Sequence, residues 1–438
     1  PTPPSALRHI PPPAAPEFAA PELSYSRTCP RGLILSGNSV FRRLVGLPWR
    51  ELIGASHNVV RHPDMPRGFY HLFWQKLGAG EPAVGYVLNR NTGGGGYWVL
   101  VAAMPCEGGY FSVRMRPSGP LFGPLRAEYA GLRAREEDEA LSPADSALAL
   151  TARLGDLGFP DYDAFAAHML TGEIRSRDLQ LGRPVDREAE ALSSLLTLLD
   201  ETLSEQARLV AQFSDLALLP VNMRLVAARL EPQGGPISQI AVNYKTASEE
   251  IARRLAEFVS GKGNLCGRMA HAVRRSLILA GTSRLQGELA EHYRCERRDQ
   301  GRDGDERRVE GKVLERVIHD SRISAQASLK EAGRLASVLN DSSMDLRRMI
   351  LGLDTIRILA RVESRKTAES QAALTATIDR IDEVQASVSE SLRALMERAT
   401  AIDHALGLLR APARRAGRYA PPPSPVGSAV SAAAGPDV

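Results

Sequence analysis

Aromatic residues are scarce in this chain, 5% of 438, and most of them precede residue 130. That asymmetry separates a packed N-terminal unit from a helical remainder, and the length itself exceeds what one core organises. Cysteine is scarcer still. Cys29, Cys106, Cys266 and Cys295 stand far apart with no CxxC pair and no His-rich companion. Neither a disulfide framework nor a zinc site is expected, and a reducing cytoplasm fits. No run approaches the ~20 apolar residues that cross a bilayer. The proline-rich start Pro1 to Pro21 lacks the charged-then-apolar order of a secretory leader, so no membrane span is expected. A Gly-rich phosphate loop, a nucleophile elbow and a kinase-type ATP motif are missing too, and the expectation is a non-enzyme. Net charge is only +4, with basic residues from Arg253 onward interleaved with Asp and Glu. Nucleic-acid binding is therefore not expected.

What is present divides the chain into six. Residues 1–22 and 411–438 are dense in Pro and Ala without apolar periodicity and read as disordered ends. Residues 23–118 hold short apolar runs, Gly32 to Leu35, Tyr97 to Val101 and Tyr110 to Val113, separated by Gly-rich turns, with helical patterns at Ser39 to Val45 and Gly68 to Leu77. This is the order of an α+β sensor domain. Residues 119–186 read as a helical linker. From Arg187 glycine becomes rare and apolar residues recur at helical spacing, as in Leu192, Leu195, Leu196, Leu199 and Leu203. Breaks at Glu231 to Pro236, Gly261 to Asn264 and Arg297 to Arg308 predict a chain that folds back on itself. The result is a helical hairpin over 187–262, then an antiparallel bundle or coiled coil over 263–410. The last segment, from Leu374 through Ile378, Ile381, Val384, Val388, Leu392 and Leu395, suits packing within the chain or across a dimer.

The decapeptide His57-Asn58-Val59-Val60-Arg61-His62-Pro63-Asp64-Met65-Pro66 concentrates polar side chains between two helical signals. With Phe73-Trp74, Gly80-Glu81-Pro82, Asn89-Arg90 and Tyr97-Trp98 it resembles the PAS domain of the bacterial aerotaxis receptor family, over roughly Leu23 to Arg116. The resemblance implies a five-stranded antiparallel sheet with short helices that holds FAD non-covalently. The site residues it implies are Asn38, His57, Arg61, His62, Asp64, Trp74 and Asn89. Trp74 would pack on the flavin, Asn38 and Asn89 would offer amide donors and acceptors, and Arg61 would supply positive charge that favours the reduced cofactor.

Read as residues alone, these positions have other uses. His57 and His62, five apart with only Asp64 near, make poor metal-ligand geometry. Asp64 suits the cap of a helix beginning near Pro66, with Arg61 as its ion-pair partner, and Trp74 suits ordinary core. Haem, with His57, His62 or His71 as axial ligand, is the alternative cofactor, and no cofactor is the third reading. Gly93 to Gly96 replaces a more polar family turn, and Ala83 stands where close relatives have an aromatic.

Leu216 to Lys245 also resembles the hairpin tip of methyl-accepting chemotaxis receptors, through Asn222, Leu225, Ala227-Ala228-Arg229, Gln233-Gly234 and Ala241. The resemblance implies a helical U-turn that contacts a histidine kinase and its coupling adaptor, with Asn222 and Arg229 as partner-binding residues. Val226, Gly235, Pro236 and Asn243 depart from the family by removing charge. Arg357 to Glu363 echoes Arg224 to Glu231, as a second copy would. The functional expectation is a cytoplasmic, homo-oligomeric redox or oxygen sensor that couples flavin state to chemotaxis partners. The alternative is a ligand-free PAS scaffold with constitutive helical partners.

Overall fold

The computed structural model describes residues 16–228, 235–259, 264–299, 304–365 and 371–410. The elements run β1 (Ser24–Thr28), β2 (Ile34–Gly37), α1 (Ser39–Val45), α2 (Trp49–Leu52), a 3₁₀ turn (His57–Val60), α3 (Arg67–Gly78), β3 (Ala83–Arg90), β4 (Gly96–Cys106) and β5 (Gly109–Met115). Then come α4 (Phe122–Asp138), α5 (Pro143–Asp156), α6 (Tyr162–Gln180), α7 (Arg187–Ala228), α8 (Gly235–Val259), α9 (Leu265–Asp299), α10 (Gly304–Ser364) and α11 (Gln371–Arg410). The five strands form one antiparallel sheet in the order β2-β1-β5-β4-β3.

Strand alternation gives the sheet two unlike faces. On β1, Ser24, Ser26 and Thr28 point one way, opposite Arg114, Ser112 and Tyr110 of β5, while Tyr25 pairs with Val113 and Arg27 with Phe111 on the reverse. The first face is covered by α1, α2 and α3. Along α3, Phe69, Phe73 and Leu77 recur every four residues and are buried, whereas Tyr70 and Trp74 lie one position round the helix. Phe69 settles over Gly85 of β3, where an added Cβ would lie 2.3 Å from the ring. Arg67 and Gly68 open α3 without a local side-chain cap. Their N–H groups instead donate to Glu136 Oε1 of α4, at 2.6 and 3.1 Å. The cap role expected of Asp64 thus falls to a residue 69 positions further on than Arg67.

Residues 119–186, read as a linker, form three helices that build onto the sensor domain. Phe122 of α4 meets Tyr86 and Trp98, α5 lies across α3, and the buried Glu173 of α6 accepts from the Tyr86 hydroxyl at 2.6 Å and the Ser118 N–H at 2.7 Å. The described part of the N-terminal segment is also in place. Phe18 is buried, Arg43 bonds the Glu17 carbonyl and the Glu22 carboxylate, and Arg177 bonds the Ala20 and Pro21 carbonyls. Disorder was expected through residue 22; 16–22 instead fold against α1 and α6. Residues 1–15 and 411–438 lie outside the described residues.

The described helices reverse direction between α7 and α8, between α9 and α10 and, where no break was expected, between α10 and α11. In contrast, α8 and α9 run in the same direction, and the reversal expected at Gly261 to Asn264 does not occur. α7 and α8 form one antiparallel hairpin and α10 and α11 a second, with Arg357 and Arg361 of α10 paired to Asp382 of α11. The hairpins join side by side. Gln212 of α7 bonds Ser387 of α11, Glu205 pairs with Arg398, and Tyr244 of α8 packs near Asp354 and Arg357. The end of α7 and start of α8 therefore lie at the same end of the bundle as the end of α10 and start of α11. The Arg357 to Glu363 echo sits near the end of α10, as Arg224 to Ala228 of its counterpart sit at the end of α7, and the rest of the counterpart lies outside the described residues. The α11 stripe Ile378, Ile381, Val384, Val388, Leu392 and Leu395 is buried within the chain. α9 packs antiparallel to α10 and beside α6 and α7, through Arg268–Glu331, Arg177–Glu288 and Arg274–Asp200. Among the described residues no helix is long and apolar enough to cross a membrane.

The second face of the sheet closes on this bundle, with β5 against α9 and β4 against α10. Arg27 on that face donates from Nε to Glu310 of α10 at 2.9 Å, and Glu107 at the β4–β5 turn pairs with Arg316 of α10.

Candidate functional site

The first sheet face and α3 enclose a cleft of about 640 Å³ counted out to its mouth. Phe69, Tyr70, Phe73 and Trp74 form one wall, and Val87, Val101 and Ala103 of β3 and β4 form the facing one. The decapeptide closes a third side because it pairs with β3: Arg61 and Asn89 form a β-bridge and the His62 N–H donates to the Leu88 carbonyl at 3.3 Å. That pairing delivers His57, Asn58 and Arg61 to the cleft.

The electrostatics are one-sided. Two guanidinium groups line the cleft, and no carboxylate does. Arg61 stacks 4.1 Å over the Tyr70 ring near the mouth. Burial pushes the Tyr70 hydroxyl up to about 12 against the opposing Arg61 charge. Arg114 is deeper, 4% exposed, with its guanidinium carbon 5.4 Å from the Phe41 ring. Burial lowers it to about 10, so it remains charged at neutral pH. Its Nη2 donates to His57 Nε2 at 2.8 Å, and Ser26 Oγ lies 3.3 Å from the same nitrogen. Burial first, and Arg114 second, pull His57 down to about 3, which leaves a neutral imidazole whose Nε2 is an acceptor.

Four of the seven expected site residues line the cleft: His57, Arg61, Trp74 and Asn89. Asn89 is buried and lies directly opposite Tyr97 across the β3–β4 pair. Trp74 is 39% exposed and packs edge-on against Tyr110, so it is a lip of the cleft rather than ordinary core. Asn38, His62 and Asp64 stand elsewhere. Asn38 is an internal staple: Oδ1 accepts from Tyr25 N–H and Phe41 N–H, both at 3.1 Å, and Nδ2 donates to the Leu23 carbonyl at 2.8 Å. It caps α1 and joins it to β1. His62 Nδ1 accepts from the Asp64 N–H at 3.2 Å, its ring lies near Gly96, and Asp64 is exposed. Arg61 turns to Tyr70 rather than to Asp64, so their expected ion pair is replaced by a cation–π contact. In the helical region Asn222 is exposed on α7, and Arg229 lies outside the described residues.

Arg114, Tyr70 and Ser112 also line the cleft and were not among the expected residues. The signal for Arg114 and Ser112 is the reversed alternation of β5, where Ser112 and Arg114 interrupt Phe111, Val113 and Met115. A strand buried on both faces with polar residues at every second position needs a polar use for that face.

The residues present fit the ring system of a flavin. The walls are aromatic and apolar, Asn89 presents an amide, and Arg114 Nη1 is a buried donor without a protein partner. Haem fits less well, since the buried candidate His57 has its Nε2 engaged by Arg114. Outward from Arg61 and Trp74 the cleft continues into an open vestibule lined by Arg67, His71 and Gln75.

A family model described as the PAS fold matches residues 21–117. Over 114 residues, 25% of this chain, the sequence is 38% identical to the aerotaxis receptor of Escherichia coli (strain K12). The match spans 22% of that relative's length. The five-stranded antiparallel sheet with its short helices agrees with the family match and with the fold that the decapeptide implied. Residues 21–117 of this chain thus form a PAS-fold domain, and over that domain the chain is similar to an aerotaxis receptor.

Proposed function

We propose that this chain is a cytoplasmic sensory signal transducer, not an enzyme, in which FAD held by the PAS cleft reports redox or oxygen state to the helical region. The observation that supports it best is the cleft itself: aromatic walls, two guanidinium groups and no carboxylate, in a domain 38% identical to part of an aerotaxis receptor. Tyr70, Phe73 and Trp74 would bound the flavin ring, Asn89 and Arg114 would meet its polar edge, and the basic vestibule at Arg61 and Arg67 suits a diphosphate. When bound, flavin supplies reversible electron transfer, so that the charge at that edge depends on its redox state.

The chain's own residues provide a route outward. Ser26 lies on the cleft side of the sheet against His57, which lines the cleft, and its neighbour Arg27 faces the other way to Glu310 of α10. A change in the hydrogen bonds of β1 is thus one residue from the bundle, whose two hairpins can bias between packings. At the far end Leu225 of α7 and Ile358 and Val362 of α10 are 60%, 55% and 52% exposed, apolar positions that support partner binding there. The partners proposed are a chemotaxis histidine kinase and its coupling adaptor, with the chain acting as a homo-oligomer.

The test is direct. The full chain is purified, denatured and its visible spectrum recorded; absence of flavin, even after incubation with FAD, sinks the cofactor reading. Partner capture that is unchanged by dithionite would favour the ligand-free scaffold.

A further inference from the structure

The following rests on the flavin reading and sharpens it. A guanidinium taken out of water is costly unless its donors are used and its charge is met. Arg114 meets neither condition within the protein. Its Nη2 is used by His57, a neutral acceptor, while Nη1 is buried with no partner. Among the described residues no ion pair to Arg114 is formed. The groups around it, Ser26, Ser112, His57 and the face of Phe41, are uncharged. Ser26 and Ser112 bond one another at 3.2 Å, and Ser112 also donates to the Ser26 carbonyl at 3.1 Å, so neither turns to Nη1.

A strand that could carry an aliphatic residue at this position carries instead a cation whose burial the His57 hydrogen bond and the Phe41 face offset only in part, with no counter-charge among the described residues. The free donor belongs to a cleft with an open mouth and aromatic walls. Arg61 does not share this condition. It is only partly buried, stacked on Tyr70, and open to the vestibule where solvent and salt screen it.

We propose that Arg114 is the charge-recognising residue of the cleft: its free Nη1 donates to the acceptor edge of a planar aromatic ligand, and binds that edge more strongly when it is anionic. Within the flavin reading this assigns the preference for the reduced cofactor to Arg114 rather than Arg61. His57 is its positioning residue, holding the guanidinium through Nη2 without neutralising it. Charge-assisted hydrogen bonds are about twice as strong as neutral ones, which is the source of the preference.

The test uses the full chain freed of ligand, titrated with FAD by flavin fluorescence, and compares Arg114→Met, Arg114→Lys and Arg61→Met. Arg114→Met is expected to weaken FAD binding by about tenfold or more, Arg61→Met by less, with Arg114→Lys between wild type and Arg114→Met. The midpoint potential of bound FAD falls in Arg114→Met by about 30 mV for each tenfold loss of preference for the reduced form. Thermal unfolding without ligand is the independent arm. Arg114→Met should melt higher than wild type, because it removes a buried charge that lacks a counter-charge. Equal FAD affinity and potential in Arg114→Met overturn the assignment. So does a lower melting temperature or a failure to fold, which would make Arg114 a structural partner of His57. Should wild type bind no FAD, the flavin reading fails separately. The melting arm then still decides whether Arg114 is a recognition group held at a cost in stability.

Discussion

Glu136→Ala removes the one side chain that caps the helix carrying the cleft wall, and its effect can be worked from the contacts. The carboxylate is fully buried. Oε1 accepts from the Arg67 and Gly68 N–H groups and from Ser146 Oγ at 2.6 Å, and Oε2 lies 3.4 Å from Arg133 Nη1. Hydrogen bonds to a charged acceptor contribute about 1.5–3 kcal/mol each, and a buried donor left alone costs about 1–3 kcal/mol. Arg67 and Arg133 are 43% and 26% exposed, so water replaces part of what they lose. The Gly68 N–H and the Ser146 hydroxyl are buried and have no such recourse. The sum is a loss of about 3–5 kcal/mol for Glu136→Ala, in line with the breaking of other buried charged networks. Glu136→Gln keeps an acceptor oxygen and loses only the charge, so about 1–2 kcal/mol is expected. Urea unfolding of the full chain, followed by circular dichroism and by tryptophan fluorescence, measures both. An Ala variant within about 0.5 kcal/mol of wild type, or an Ala variant no worse than Gln, would refute the claim that α3 is capped from α4. Because Tyr70 and Trp74 ride on α3, Glu136→Ala should also retain less FAD.

Two further outcomes are expected. His57 is held at about 3 when folded and near 6.5 when unfolded, so the unfolded chain binds the extra proton first. Its contribution is complete above pH 6.5 and declines as pH falls toward 3; between pH 6.5 and 5 the loss is about 2 kcal/mol. His57→Gln should flatten the pH dependence of the unfolding free energy in that window, and an unchanged slope would contradict the buried neutral imidazole. Gly68→Ala sets helix propensity against packing: Ala gains about 1 kcal/mol in a helix interior, but the new Cβ would lie 2.4 Å from the Ser146 backbone carbon of α5. Backbone cannot step aside as a side chain can, so a net loss of about 2 kcal/mol in thermal or urea unfolding is expected.

Much of this molecule is local. The Gly-rich turns, the runs at Tyr97 to Val101 and Tyr110 to Val113, and the helix Ser39 to Val45 are short-range patterns, and the strands and helix fall where those patterns place them. Helices α8 and α9 begin at Gly235 and Leu265, beside the breaks expected at Glu231 to Pro236 and Gly261 to Asn264, although α7 carries Pro220 within it. The decapeptide, being contiguous, brought His57 and Arg61 to notice together. His62 and Asp64 stand outside the cleft because neighbours along an extended segment point to opposite sides: Arg61 reaches the cleft, and His62 turns toward Gly96.

What the tertiary structure decided is what depends on partners distant in sequence. Asn38 was read as a ligand amide, and all its bonds go to Leu23, Tyr25 and Phe41, a use visible only once β1 lies against α1. Arg114 is a basic residue near the end of a strand in the sequence, and becomes an unpaired cation only when β5 lies between β1 and β4 under the helices. The α11 stripe has the same spacing whether it meets its own chain or another, and only the pairing of residues 205 and 212 with 398 and 387 brings it against α7. Hydrophobic period specifies that a face is buried; which surface buries it is a property of the assembled chain, since burial is non-directional and register comes from contacts between segments.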